Sequence, residues 1–394
     1  MITVEEARKI LVQTVAPLTE VKQMDVSVSA GYRLAEDIPS PIDLPPFNQS
    51  NVDGYALGPP ISGHEQWIVV EEISTGAYTN RILGAGEAAR IFTGACVPEG
   101  SELVVMQEKV QRTGTTVTCI DESRPGQFIR KQGSQIRKGE TGFLRNTLIT
   151  PAVISLLEGM GIPEIPVFRK PVIALLITGN ELERTKGVLP KGKNYESIAS
   201  ALQACMQGMG LGPATIQFVK DDKAALSNAV QEGLKADLLL VTGGISVGDY
   251  DYVKEVLDAH KIQCLFHGIA QKPGKPLYLG KNKHTLVFGL PGNPASTLTC
   301  FYEYVYPALR ILQGREKIFL KTLHLPLLKP VTKNPGLAFF LKARMTDTGV
   351  EPLEGQDSYI MKSLAEANAF VYLPAQQGTT PSGSTVEVHV LPEP

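Results

Sequence analysis

A run of glycines and hydroxyls, VTGGISVGDYDYV over residues 241–253, joins a continuous apolar stretch to a helical pattern through Gly243, Gly244 and Gly248. Glycines there let the backbone approach an anion, and the free N–H groups of a helix start supply donors and positive partial charge. With the Thr242 and Ser246 hydroxyls beside it, the segment reads as a cradle for a phosphate-like group; the bland alternative is a tight strand-to-helix turn. Further polar groups follow other apolar runs: Thr178 to Glu181, Lys220 to Asp222, and GLPGNP over residues 289–294, with Pro291, Asn293 and, just after it, Ser296. Glu181, Asp221 and Asp251 together form an oxygen-rich acidic edge, the donor set that Mg²⁺ on a substrate phosphate requires. The QKPGKP segment adds Lys272 and Lys275 near a rigid turn, compact cations suited to an oxyanion. Each signal has a plain counterpart. Asp222 can cap a helix, Glu181 can be solvated, Asn293 can start a turn, and the lysines can be a surface pair.

The elements that must position these groups alternate. Apolar runs at 172–177, 215–219, 237–241 and 285–288 read as buried strands. Periodic segments at 197–209, 223–234 and 251–260, and a long one over 294–312, read as helices. Strands alternating with helices predict a parallel α/β region over 169–316, whose ligands lie beyond the carboxyl ends of its strands. Residues 1–168 form a different region. An amphipathic helix opens with a Thr3/Glu6 capping box, a strand-rich insert covers about 50–140, and a helix spans 146–160 with Gly161 to end it. From 317 to 394 short strands return, clearest at 336–345, 370–373 and 385–391, as in a small β-barrel or sandwich.

With 38 basic against 40 acidic side chains, the chain carries no field of one sign, which argues against nucleic acid as a partner. The start lacks a basic leader or an apolar signal core, and no apolar run approaches a membrane span; the expectation is a cytoplasmic protein. The five cysteines show no Cys-x-x-Cys pair and the six histidines do not cluster, so any metal chemistry must use oxygen ligands. PPFNQSNVDGYA (45–56) and RIFTGACVPEGSELVVMQE (90–108) give exposed loops with Asp53 and Thr93, and pattern alone names no reaction for them.

Taken in order, these two segments with TGNEL, TGGISVGDYDY, KPGKP, GLPGNP and SLAEANAFVYLP (363–374) resemble the motif series of the molybdopterin molybdenumtransferases, including the homologous domain of gephyrin. The resemblance runs the length of the chain. It implies four domains: a helical and extended N-terminal part, an inserted β domain, a central α/β domain similar to the molybdopterin adenylyltransferases, and a C-terminal β-barrel. It further implies an elongated homodimer in which Asp53 and Thr93 of one subunit serve the cleft of the other. The family's Mg²⁺-dependent step hydrolyses adenylylated molybdopterin, transfers molybdenum from molybdate to dithiolene sulfurs and releases AMP. On that resemblance Glu181, Asp221 and Asp251 are metal-binding carboxylates, the 243–248 loop and Lys272 and Lys275 bind anions, and Ser358 and Ser363 contact substrate. A molybdopterin adenylyltransferase is the expected supplier. Four positions depart from the pattern: Gly268 replaces a lysine, Asn180 an acid, Ile198 an asparagine, and Gln135 an acid. Removing charge from an anion and metal site alters affinity. A paralogue that binds pterin or a partner without turnover is compatible with these departures; an enzyme that handles tungstate is a third reading, because the two anions are tetrahedral, similar in size and equal in charge.

Overall fold

Thr3 opens helix α1 (Val4–Thr14) with the expected reciprocal cap. Its hydroxyl accepts from the Glu6 N–H at 3.1 Å, and the Glu6 carboxylate accepts from the Thr3 N–H at 2.8 Å. In this computed structural model, which describes all residues except 63, 123, 186, 213–214, 246–251 and 394, the chain forms two compact units. One comprises Met1–Glu20 with Phe168–Pro394, the other Val21–Val167. The sequence reading placed the first helix with the N-terminal region. Its buried stripe of Val4, Ala7 and Leu11 instead enters the same core as Ile173, Leu175, Phe301 and Leu312. An amphipathic period shows that a face is buried but not what covers it.

In the Val21–Val167 unit, a six-stranded sheet runs Leu103–Met106, Gly54–Leu57, Glu87–Ile91, Gln66–Ile73, Thr116–Cys119, Val110–Thr113. Alternate side chains fill its two faces: Ala56, Ala89, Ile91 and Val104 on one, Tyr55, Leu57, Ala88 and Val105 on the other. Helix α2 (Pro151–Gly159) starts with Thr150 as cap and Pro151 at its first position. It stops at Gly161, whose φ of 73° is the left-handed geometry that favours glycine. Leu157 and Met160 anchor it in a separate cluster with Leu34, Ile165 and Val167.

The other unit is built on a second six-stranded sheet, ordered Thr215–Val219, Ile173–Thr178, Leu238–Thr242, Leu286–Leu290, Tyr278–Lys281, Gln263–His267. The first four strands are parallel. The last two pair antiparallel, which the expected wholly parallel sheet did not include. The pairing of Tyr278–Lys281 with Leu286–Leu290 follows from the Asn282 turn, where the Asn282 side chain accepts from the His284 and Thr285 N–H groups and reverses the chain without a crossover helix. Each central strand is buried on both faces. Leu175, Ile177, Leu238 and Leu240 point to one core with helices α3 (Ile198–Gly208), α6 (Pro294–Cys300) and α7 (Tyr306–Leu312). Leu176, Leu239 and Val241 point to another with α4 (Lys223–Gly233) and α5 (Tyr252–Ala259).

Residues 294–312 were expected to form one helix, yet a π-helical turn, Phe301–Val305, interrupts it between α6 and α7. Pro307 has no N–H to give the Glu303 carbonyl and its ring crowds that carbonyl. The chain widens and the Tyr306 N–H bonds to the Phe301 carbonyl instead. Beyond α7, strands Ala338–Thr346, Ala369–Leu373, Thr385–Val390 and Lys321–Pro326 pair in that order, with Gly349–Pro352 on the free side of Ala338–Thr346. Leu327 bridges Val350, and Leu341, Ala343, Val371 and Val388 fill the interior. Helix α8 (Met361–Glu366) lies in the connection before the Ala369–Leu373 strand.

Candidate functional site

The strand order of the α/β sheet reverses between Ile173–Thr178 and Leu238–Thr242, because the chain steps outward to Thr215–Val219 and then returns past its start. A crevice opens beyond the carboxyl ends of strands at such a switch point. Thr178 and Thr242 mark it: the Thr178 hydroxyl donates to the Thr242 carbonyl at 3.1 Å. Gly243 follows with φ 82°, and a Cβ on it would stand 2.6 Å from the Thr178 carbonyl oxygen, so only glycine fits there.

The cleft at this place holds about 840 Å³ and is lined by Glu181, Gly243, Gly244, Lys272, Lys275, Pro291, Asn293, Ser296 and Ser358, all singled out from the sequence. Ser246, Gly248 and Asp251 lie outside the described residues. The GLPGNP turn is fixed from inside. The Thr297 hydroxyl donates to the Pro291 carbonyl at 2.5 Å, and the Asn293 amide donates to the Ser358 hydroxyl at 2.9 Å. Lys272 Nζ stands 5.7 Å from the Phe339 ring centre, which holds the ammonium at the cleft wall by cation–π attraction.

Glu181 folds back over Gly179, where a Cβ would meet its carboxylate at 2.8 Å. Among the described residues its carboxylate has no hydrogen-bond partner. Glu196 also lines the cleft, with one oxygen accepting from the Ile198 and Ala199 N–H groups at 2.6 and 2.8 Å, so it caps α3 and leaves the other oxygen available. Gln271 and Tyr195, which stand in segments read from the sequence, also line the cleft, as do Leu337 and Tyr359, which were not singled out. Tyr195 and Tyr359 are exposed aromatics, whose flat faces at a cleft mouth are the signal that could have found them.

Two expected substrate or metal contacts are not among the residues that line the cleft. Asp221 does not line the cleft: it accepts from the Asn180 N–H at 3.0 Å while its own N–H donates to the Asn180 side-chain oxygen at 3.2 Å. The pair ties two strand ends together, and the amide at 180 avoids placing two carboxylates side by side. Ser363 is buried, its hydroxyl donating to the Gly355 carbonyl at 2.7 Å to hold the loop before α8. Asp222 caps α4 through the Ala225 N–H. Gly268 has φ 87°, a conformation in which a lysine is strained. Among the described residues no group of three or more His, Cys, Asp or Glu could hold a metal ion.

In the Val21–Val167 unit, Asp53 and Thr93 meet. The Thr93 N–H and hydroxyl donate to the same Asp53 oxygen at 2.8 and 2.7 Å. Those bonds, the backbone one first, hold the Asp53 carboxyl below the usual aspartate range. Arg90 stands beside them, donating to the Gly54 carbonyl and packed over Tyr55 and Phe92.

A buried ionic cluster carries no signal in the sequence. Glu303, in the π turn, accepts from Arg8 at 2.6 Å and faces His389 Nδ1 at 2.8 Å, while His389 Nε2 faces Glu387 at 2.8 Å. Despite burial, these acidic neighbours raise the His389 pKa to about 9.

Three family models match in succession: the MoeA N-terminal region (domain I and II) over residues 2–161, the probable molybdopterin binding domain over 174–311, and the MoeA C-terminal region (domain IV) over 324–391. The molybdopterin molybdenumtransferase of Staphylococcus aureus is 31% identical over 371 residues, covering 91% of this chain and 88% of that protein. Its namesake from Haemophilus influenzae is 29% identical over 401 residues, covering 98% of each. A crystal structure of the molybdopterin biosynthesis MoeA protein of Pyrococcus horikoshii superposes with a TM-score of 0.84 at 29% identity, covering 99% of each chain. With its segments matched in order and its fold shared end to end, the chain belongs to the molybdopterin molybdenumtransferase (MoeA) family.

Proposed function

We propose that this chain works in molybdenum cofactor biosynthesis, inserting molybdenum from molybdate into adenylylated molybdopterin and releasing AMP. The observation that carries the reading is the cleft at the sheet's switch point, which combines the Gly243–Gly244 turn, two lysines and the Glu181 carboxylate, which has no hydrogen-bond partner among the described residues. Glycine N–H groups and lysines complement phosphate and oxyanion charge. The soft sulfur ligands for molybdenum belong to the substrate, so the protein needs no thiolates, and its binding energy goes into orientation.

Mg²⁺ fits such a site: it binds through one or two carboxylates with substrate phosphates, and Glu181 is free to face it, with the second oxygen of Glu196 within the same wall. When bound it would neutralise charge on the phosphoanhydride. Asp251 remains the further carboxylate that family resemblance assigns. The Asn293–Ser358 pair and Ser296, in the same lining, orient the substrate. A homodimer in which a second copy supplies Asp53 and Thr93 to this cleft completes the proposal, with a cytoplasmic location and an adenylyltransferase as the source of substrate. No helix among the described residues is long and apolar enough to cross a membrane.

Incubating purified protein with adenylylated molybdopterin tests this reading. AMP release that requires both Mg²⁺ and molybdate supports it, and retention of intact substrate under those conditions refutes turnover and selects the binding paralogue. Tungstate in place of molybdate identifies the preferred anion.

A further inference from the structure

Directly beneath the Lys272 to Lys275 loop lies a fully buried amide, Gln271, inside an otherwise apolar core. Its Nε2 donates to the Pro273 carbonyl at 3.0 Å, with the Gly274 carbonyl at 3.5 Å and the Cys300 thiol at 3.8 Å. On its other side, Oε1 accepts from the Tyr304 hydroxyl. The orientation of the amide follows from chemistry: the two loop carbonyls can only accept, so the NH₂ end must face them and the oxygen must face a donor. Tyr304 is wholly buried, and burial raises its pKa well above the ordinary phenol value, which keeps its proton in place.

The loop is seated closely on this pair. Gly274 has φ 87°, and a Cβ on it would stand 2.4 Å from the Cys300 sulfur and 2.9 Å from the Gln271 nitrogen. Tyr304 reaches inward because the π turn directs Phe301, Glu303, Tyr304 and Val305 all to the interior. The short strand of Gln271–Lys272 pairs with Ala338 and Phe339 and fixes the start of the loop; the Ile269 N–H on the Lys275 carbonyl at 2.9 Å and the Leu277 N–H on the Gly274 carbonyl at 3.3 Å fix its end, and the Pro273 carbonyl between them is held by Gln271.

We propose that Gln271 and Tyr304 are positioning residues for the anion site: together they hold the backbone between Lys272 and Lys275 so that both ammonium groups face one cleft, and thereby set the affinity for a tetrahedral oxyanion. The inference rests on reading the cleft as an anion site. A purely structural role would consist only of satisfying two buried polar groups. In that case replacing both by apolar residues costs some stability, because the Pro273 carbonyl is left without a donor, and leaves molybdate affinity unchanged, whereas a positioning role also loses its grip on the loop that carries the lysines.

Calorimetric titration of the full chain with sodium molybdate separates the two. Gln271→Met together with Tyr304→Phe should melt within a few degrees of wild type yet bind molybdate about tenfold more weakly. Tyr304→Phe alone keeps the loop bonds but leaves the amide oxygen without its donor, and should show a smaller loss, about threefold. It serves as the readout if the double variant does not fold. In turnover the loss should appear in the KM for molybdate with kcat retained. Wild-type affinity in both variants overturns the positioning role alone. No molybdate binding by wild type, or unchanged binding in Lys272→Ala, overturns the anion site itself and the inference with it.

Discussion

The Asn293 amide donates to the Ser358 hydroxyl at 2.9 Å across 65 positions of sequence, joining the turn before α6 to the loop before α8 on the wall of one cleft. The bond is exposed, so its value lies in orienting the wall rather than in stability. Ser358→Ala should raise the KM for the pterin substrate about three- to tenfold while urea unfolding changes by less than about 1 kcal/mol. A large loss of stability with unchanged KM would place the pair in the scaffold instead.

Thr93 holds Asp53 with two bonds to one oxygen, and those bonds favour the charged carboxylate. The folded pKa of Asp53 lies below its usual value, so the stabilisation is present above the unfolded-state pKa and is lost as pH falls through the folded one. Thr93→Val removes the hydroxyl but keeps the N–H, and carboxyl NMR should show the Asp53 pKa moving up toward the ordinary range. In a dimer with shared sites, an equal mixture of inactive Asp53→Asn and Glu181→Gln chains should regain roughly a quarter of wild-type activity after exchange. No regain would contradict the shared cleft.

His389 gains two carboxylate partners on folding, and its pKa rises to about 9 against the positive charge of Arg8 nearby. A raised folded pKa means the stabilisation is whole below the unfolded value of about 6.5 and fades as pH climbs through about 9. Melting temperature should fall over that interval and be flatter in His389→Gln. Glu303→Gln removes the central charge of the cluster, leaving Arg8 without its carboxylate and His389 with Glu387 alone. Denaturant titration should show a loss of about 3 kcal/mol or more.

Restoring the missing family lysine should not improve the site. Gly268 sits at φ 87°, and its carbonyl accepts from the Ile2 N–H. Gly268→Lys imposes a left-handed non-glycine residue, costing about 1–2 kcal/mol of stability, and calorimetry should find molybdate affinity no tighter than wild type. Tighter binding at unchanged stability would refute this.

Strands such as Leu238–Thr242 were legible because burial on both faces demands an unbroken apolar run, and the glycines and prolines of the cleft loops stand at fixed offsets from those runs. Hydrophobic period could not show that α1 packs with residues 168–394, nor that Tyr278–Lys281 returns antiparallel, since both depend on partners distant in sequence. The π turn left its mark in Pro307, whose missing N–H forbids a regular helix. Asp221 and Ser363 carry the right chemistry for a site, and only the fold reveals the bonds to Asn180 and Gly355 that engage them. Glu303 gave no signal, because a buried carboxylate is recognised only through the Arg8 and His389 that pay for its desolvation.

The most direct measurement is the molybdenum content of the pterin product after incubation with adenylylated molybdopterin, molybdate and Mg²⁺, for wild type beside Glu181→Gln. The account predicts stoichiometric molybdenum in the wild-type product and a rate at least about a hundredfold lower for the variant, with substrate binding retained. A wild-type product without molybdenum, or a Glu181→Gln enzyme as fast as wild type, would contradict it.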